Sequence, residues 1–124
     1  MNLLLDTQAF LWFESGDKRI TATVKQAITE PVNVKFISMA VFWEIAIKNS
    51  LGKLELHIPF DDLLMLNGYT HLHITGSHLK AVRALPYHHR DPFDRLLIAQ
   101  AMQEGFAIIS ADKQFDSYGI KRIW

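Results

Sequence analysis

The chain has 124 residues, 49% of them hydrophobic, enough to bury one core and short of what two domains need, so residues 1–124 are read as a single domain. Thirteen basic and thirteen acidic residues cancel, so a polyanion can be held only by a local basic patch or through metal ions. Cysteine is absent, which excludes disulfides, thiolate zinc sites and cysteine nucleophiles and fits a reducing, cytoplasmic setting.

The apolar start, MNLLLDTQAFLWFE, has no basic leader and carries Asp6 in its middle, so it reads as a first strand and helix and not as a signal peptide. No apolar run approaches the roughly 20 residues of a membrane span, and no membrane association is expected. Asn2 to Leu5 is a short continuous apolar run, the pattern of a parallel strand buried on both faces. Ligands of open α/β sheets collect beyond the carboxyl ends of strands, and Asp6 stands at that end; it could equally be the N-cap of a helix over Ala9 to Phe13. Thr21 is placed to cap a helix with Val24, Ala27 and Ile28 on one face, stopped by Pro31.

Val34 to Ile37 reads as a second strand, and Ser38 leads into the helix MAVFWEIAIKNSLGKL, closed near Gly52. Val41, Ile45 and Leu51, widened by Trp43 and Ile47, make that helix mostly buried, with Glu44 inside the apolar surround. An i, i+4 pair with Lys48 would repay only about 0.2 to 0.5 kcal/mol on an exposed helix, while burying an unpaired charge costs several kcal/mol, so Glu44 is better explained by function. Pro59 to Asn67 reads as a short helix, His71 to Thr75 as a third strand and Ser77 to Leu85 as a helix closed by Pro86. His71, His73 and His78 lack metal-ligand spacing; His88 and His89 are better placed to meet phosphate or shape a loop than to be ligands.

The stretch HHRDPFDRLLIAQA is a helix start with Asp91 at the N-cap, Pro92 at N1 and Asp94 at N3. Phe106 to Ile109 is a fourth buried strand followed by Ser110 and Asp112, Gln114 to Tyr118 a turn, and Ile120 to Ile123 an edge strand defended by Lys121 and Arg122. Strands alternating with helices predict a three-layer α/β/α sandwich with a mainly parallel sheet.

If Asp6, Glu44, Asp94 and Asp112 converge, their repulsion must be answered, because two unit charges 4 Å apart at an effective dielectric of 20 interact by about 4 kcal/mol. A divalent cation answers it. Oxygen ligands without cysteine select Mg²⁺ or Mn²⁺, and such a cluster suits hydrolysis of a phosphodiester. With zero net charge, backbone contacts to a nucleic acid fall to basic residues near the acids, best placed by sequence at Lys48, Arg90, Arg95 and Lys113.

Four stretches taken together, LLLDTQAFLW, FWEIAIKNSLGKL, HHRDPFDRLLIAQA and ISADKQFDSYGIKRIW, resemble the PIN domain of VapC-type toxins from bacterial type II toxin–antitoxin systems. The resemblance spans nearly the whole chain and implies a PIN-like fold, with catalytic and metal-holding acids at Asp6, Glu44, Asp94 and Asp112 and Asp91 as an additional acid. It also implies an Mg²⁺- or Mn²⁺-dependent endoribonuclease acting on RNA, restrained by a cognate antitoxin and commonly a homodimer. Thr7 and Ser110 are the supporting hydroxyls. Val41 stands where relatives often carry serine, and Ser110 where threonine is frequent. Two rival readings are an interaction module with no catalysis, whose acids are caps and surface pairs, and a receiver-like signalling domain. The second wants an acidic pair after the first strand and a lysine after a late one, whereas here Asp6 is single and the late strand ends in Ser110 and Asp112.

Overall fold

A computed structural model describes residues 1–124. Strands β1 (Asn2–Leu5), β2 (Val34–Ser38), β3 (Thr70–Leu72), β4 (Ala107–Ile109) and β5 (Arg122–Ile123) form one sheet in the order β3-β2-β1-β4-β5. Every pairing is parallel; β1 meets β2 with Leu3 opposite Lys35, and β4 with Leu4 opposite Ile108. The helices are α1 (Thr7–Ser15), α2 (Ala22–Thr29), α3 (Met39–Ser50), α4 (Phe60–Leu64), α5 (Gly76–Ala84) and α6 (Pro92–Glu104), with a 3₁₀ turn over Lys113–Tyr118.

Strand order runs one way from β1 to β3 and the other way from β1 through β4 to β5. Right-handed crossovers then place α1 to α4 over one face and α5 and α6 over the other, giving the expected three layers. The reversal falls between β1 and β4, whose carboxyl ends are the switch point at which open α/β sheets build their sites. Leu3, Leu4, Leu5, Ile108 and Ile109 are fully buried there, each apolar side chain contributing about 1.5 to 3 kcal/mol by leaving water.

Several boundaries differ from the pattern in the sequence, each for a local reason. Asp6 caps α1 through the Ala9 amide, so that helix starts at Thr7 and continues to Ser15, where Gly16 (φ +68°) turns the chain. The third strand ends at Leu72, because Thr75 is already the N-cap of α5 and forms a reciprocal capping pair with His78. The helix after Pro59 is one short turn in which Leu63 is buried and Met65 points out. The last strand keeps two residues, and Arg122 pairs with Asp116 and donates to the Ser110 carbonyl across that edge. No helix is long and apolar enough to cross a membrane.

Candidate active site

Four helical starts point at the switch point. Asp6 follows β1 and accepts from the Ala9 amide at 2.8 Å; Asp91 caps α6 through the amides of Phe93 (2.9 Å) and Asp94 (3.2 Å); Asp112 caps the 3₁₀ turn through Gln114 at 2.9 Å. A carboxylate has two oxygens with several lone pairs, so capping through one does not use up its capacity to accept. These side chains therefore cap their helices and line the cleft at the same time. The positive helix ends also offset part of the mutual repulsion. Glu44 reaches the same place from α3, which begins at Met39 and is capped by Ser38, the last residue of β2.

Asp6, Glu44, Asp91, Asp94 and Asp112, with Thr7, Gln8, Trp12, Lys48 and Ala111, line one cleft of about 330 Å³. Glu44 is buried and doubly bound, with Thr7 Oγ1 donating to Oε1 and Lys48 Nζ to Oε2, each at 2.5 Å. The i, i+4 pair thus exists, yet in a buried setting that a surface pair would not need. The hydrogen bond to Glu44 holds the Lys48 ammonium above its ordinary range. Burial raises the Asp6 carboxyl to about 6 against the lowering hydrogen bonds from Ser110 and the Ala9 amide, with Glu44 and Asp112 adding to the rise. Asp94 goes further, to about 8, from burial first and then from the charges of Asp91, Asp6, Glu44 and Asp112. The Thr7 hydroxyl bonds Glu44 and the Ser110 hydroxyl bonds Asp6; Ser110 Oγ additionally accepts from the Asp112 amide at 3.0 Å. Val41 is fully buried in the core and offers the cleft no polar atom.

The basic residues separate. Lys48 lines the cleft, and Arg90 and Lys113 are exposed beside Asp91 and Asp112 in the chain. Arg95 is a correction. It is 5% exposed, and its guanidinium donates to the carbonyls of Pro86 (2.9 Å), His89 (3.3 Å), Val82 (3.3 Å) and Leu85 (3.2 Å). These carbonyls lie at the end of α5 and in the loop beyond it, where helix geometry leaves oxygens without partners. Arg95 is therefore a cap for that loop and unavailable to RNA. Its signal in the sequence is the company it keeps, Leu96, Leu97 and Ile98 on a buried helix.

One further residue of the cluster reads from the sequence as meeting phosphate or shaping a loop. His89 is 7% exposed, and its Nε2 lies 2.9 Å from Asp112 Oδ2 and 3.1 Å from Asp94 Oδ2. His89, Asp94 and Asp112 present their ligand atoms within 4.8 Å of one another.

The sequence matches the PIN domain family over residues 3–121. No curated protein sequence matches the chain. Among solved structures the chain is similar to VapBC2 from Rickettsia felis, crystallised on a DNA fragment from its promoter, with a TM-score of 0.69, 12% identity and coverage of 98% of this chain and 97% of that one. It is also similar to Mycobacterium tuberculosis VapC20, a sarcin–ricin-loop-cleaving toxin, at TM-score 0.68, 17% identity and 95% coverage of each chain. The PIN domain endonuclease Utp24 follows at TM-score 0.53, 14% identity and coverage of 94% of this chain and 75% of that one. These likenesses bear on the fold, a wholly parallel five-stranded sheet with its acids at the switch point, whereas the family match covers almost every residue of the sequence itself, and by it the chain belongs to the PIN domain family.

Proposed function

We propose that this PIN domain is a divalent-metal-dependent endoribonuclease and the toxin of a type II toxin–antitoxin pair. The observation that carries the reading is the convergence of five carboxylates on one cleft at the switch point, with Asp94 raised to about 8 by burial and by its acidic neighbours. An arrangement that penalises its own charge is a standing destabilisation unless a cation relieves it.

The donor set that lines the cleft fits a hard cation: carboxylate oxygens, the Thr7 hydroxyl and no sulfur. Asp6, Glu44, Asp94 and Asp112 would hold Mg²⁺ or Mn²⁺, with Asp91 as a further oxygen donor. Held there, such a cation would supply an activated water and neutralise charge developing on the phosphodiester. The chain's own groups orient that chemistry: Thr7 and Lys48 fix both oxygens of Glu44, while the Ala9 amide and Ser110 fix Asp6. Arg90 and Lys113, exposed beside Asp91 and Asp112, with Lys48 inside the cleft, supply positive charge for RNA phosphates.

A second groove, about 310 Å³, adjoins the cleft and shares Gln8 and Trp12 with it; Leu11, Leu54, Leu56, Ile58 and Leu63 give it an apolar floor. An antitoxin helix fits such a groove through its apolar face, with a basic side chain extended into the acids. Leu63 to Leu66 contributes less surface than its composition promises, since Leu63 is core. The homodimer belongs to the same reading, with the exposed Trp43 packed edge-to-face on Phe93 as an apolar surface for it.

Incubating the pure protein with RNA tests the function. Cleavage should require Mg²⁺ or Mn²⁺, stop with EDTA and vanish in Asp94→Asn. Metal-independent cleavage, or none with any divalent cation or RNA, would leave the non-catalytic interaction module as the better account.

A further inference from the structure

His89 is held by more contacts than a loop residue needs. Its amide donates to the Tyr118 hydroxyl at 2.8 Å, and that hydroxyl donates to the Pro86 carbonyl at 2.8 Å. Its carbonyl accepts from buried Arg95 at 3.3 Å, and its ring meets Phe115 at a tilt of 62° with centroids 5.8 Å apart. Backbone and ring are thus both fixed, from α6 and from the 3₁₀ turn. The ring's protonation pattern is fixed as well. The Asp91 amide donates to His89 Nδ1 at 3.2 Å. A backbone N–H can only donate, so Nδ1 carries the lone pair and the ring hydrogen sits on Nε2. That hydrogen donates to Asp112 Oδ2 at 2.9 Å, and Asp94 Oδ2 lies 3.1 Å from the same nitrogen, so two acids borne by different elements meet at one ring edge.

We propose that His89 is a positioning residue of the acidic site, an Nε2–H donor that holds Asp112 beyond β4 while its ring edge rests against Asp94 at the start of α6, and so sets the spacing of the two acids for a divalent cation. A nitrogen that carries a hydrogen has no lone pair for a metal, so His89 lies outside the ligand set although its distances alone would admit it. It stands behind the carboxylates as a second layer of hydrogen bonding, the kind of group whose removal typically costs 10- to 100-fold in metal affinity. The inference rests on the metal-site reading above.

Two measurements test it. Mn²⁺ binding, followed by the EPR signal of free Mn²⁺, should weaken about tenfold or more in His89→Ala. His89→Gln, whose amide can donate from a similar reach, should recover most of that loss, which a role in folding alone would not predict. Equal affinity in His89→Ala and the wild type would overturn the role of His89 and leave the metal site standing. A wild type that binds no Mn²⁺ would overturn both. The second measurement needs no variant, so it decides even if His89→Ala fails to fold. With ¹⁵N-labelled histidine, His89 should show the Nε2–H tautomer without metal and keep it when Mg²⁺ is added. An Nδ1–H tautomer, or loss of the Nε2 hydrogen on binding, would overturn the assignment.

Discussion

A carboxylate in the first turn of a helix ordinarily titrates low, because amides and the helix dipole favour its charge. Asp94 does the opposite: burial and four acidic neighbours raise it from 3.8 to about 8. The folded chain therefore holds a proton that the unfolded chain releases near pH 4, and metal-free stability falls as pH rises through that window. Each pKa unit corresponds to about 1.4 kcal/mol, so the loss across the window is of the order of a few kcal/mol. Melting of metal-free protein followed from pH 5 to 9 should show the midpoint falling, with Mg²⁺ or Mn²⁺ restoring it most at high pH. Asp94→Asn should flatten the profile and raise the metal-free midpoint at pH 8. Asp6→Asn keeps a capping oxygen for Ala9 and should do the same more weakly, since Asp6 rises only to about 6. A fall in midpoint for both variants would mean that these carboxylates stabilise the fold.

The elements explain which residues the sequence makes legible. Asp6 and Asp112 can be read because apolar strand runs end just before them, and Glu44 because a charge amid Trp43, Ile45 and Ala46 violates its helix's pattern. Thr7 and Ser110 come from the family resemblance. His89 and Arg95 cannot be assigned that way. Their roles arise where α5, α6 and the 3₁₀ turn meet, a juxtaposition that no spacing along the chain encodes. Charge near the acids suggests Arg95 as an RNA contact, yet the α5–α6 loop claims its guanidinium for four carbonyls. Arg95→Met should then destabilise by about 3 kcal/mol in denaturant titration, because buried carbonyls lose their donors and the ring of Tyr87, 3.9 Å from the guanidinium, loses its cation. Arg90→Glu or Lys113→Glu should leave stability unchanged. Each should instead flatten the dependence of RNA affinity on log salt by roughly one unit. Unchanged slopes in both would place the RNA path elsewhere on the surface.

For the whole molecule, zero net charge means that recognition depends on where charge is placed. Five acids share one cleft with a single lysine, so the local field is strongly negative inside a neutral protein. A cation and a basic side chain of a partner are two answers to the same field, and they exclude each other. Lys48 already occupies one oxygen of Glu44, which leaves Asp6, Asp91, Asp94 and Asp112 to receive a plug, and the groove through Gln8 and Trp12 leads to them. For an antitoxin held this way, inhibition of RNA cleavage should weaken as Mg²⁺ is raised, and replacing its inserted basic residue by Ala should abolish the competition. The apolar floor should contribute independently of metal: Leu56→Asp should loosen the antitoxin equally at low and high Mg²⁺, because that contact involves no charge the cation can replace. Binding of antitoxin titrated against Mg²⁺ for wild type, Leu56→Asp and the basic-residue variant separates the two contributions. Inhibition indifferent to Mg²⁺ and to the basic residue would mean that the antitoxin covers the cleft by shape alone.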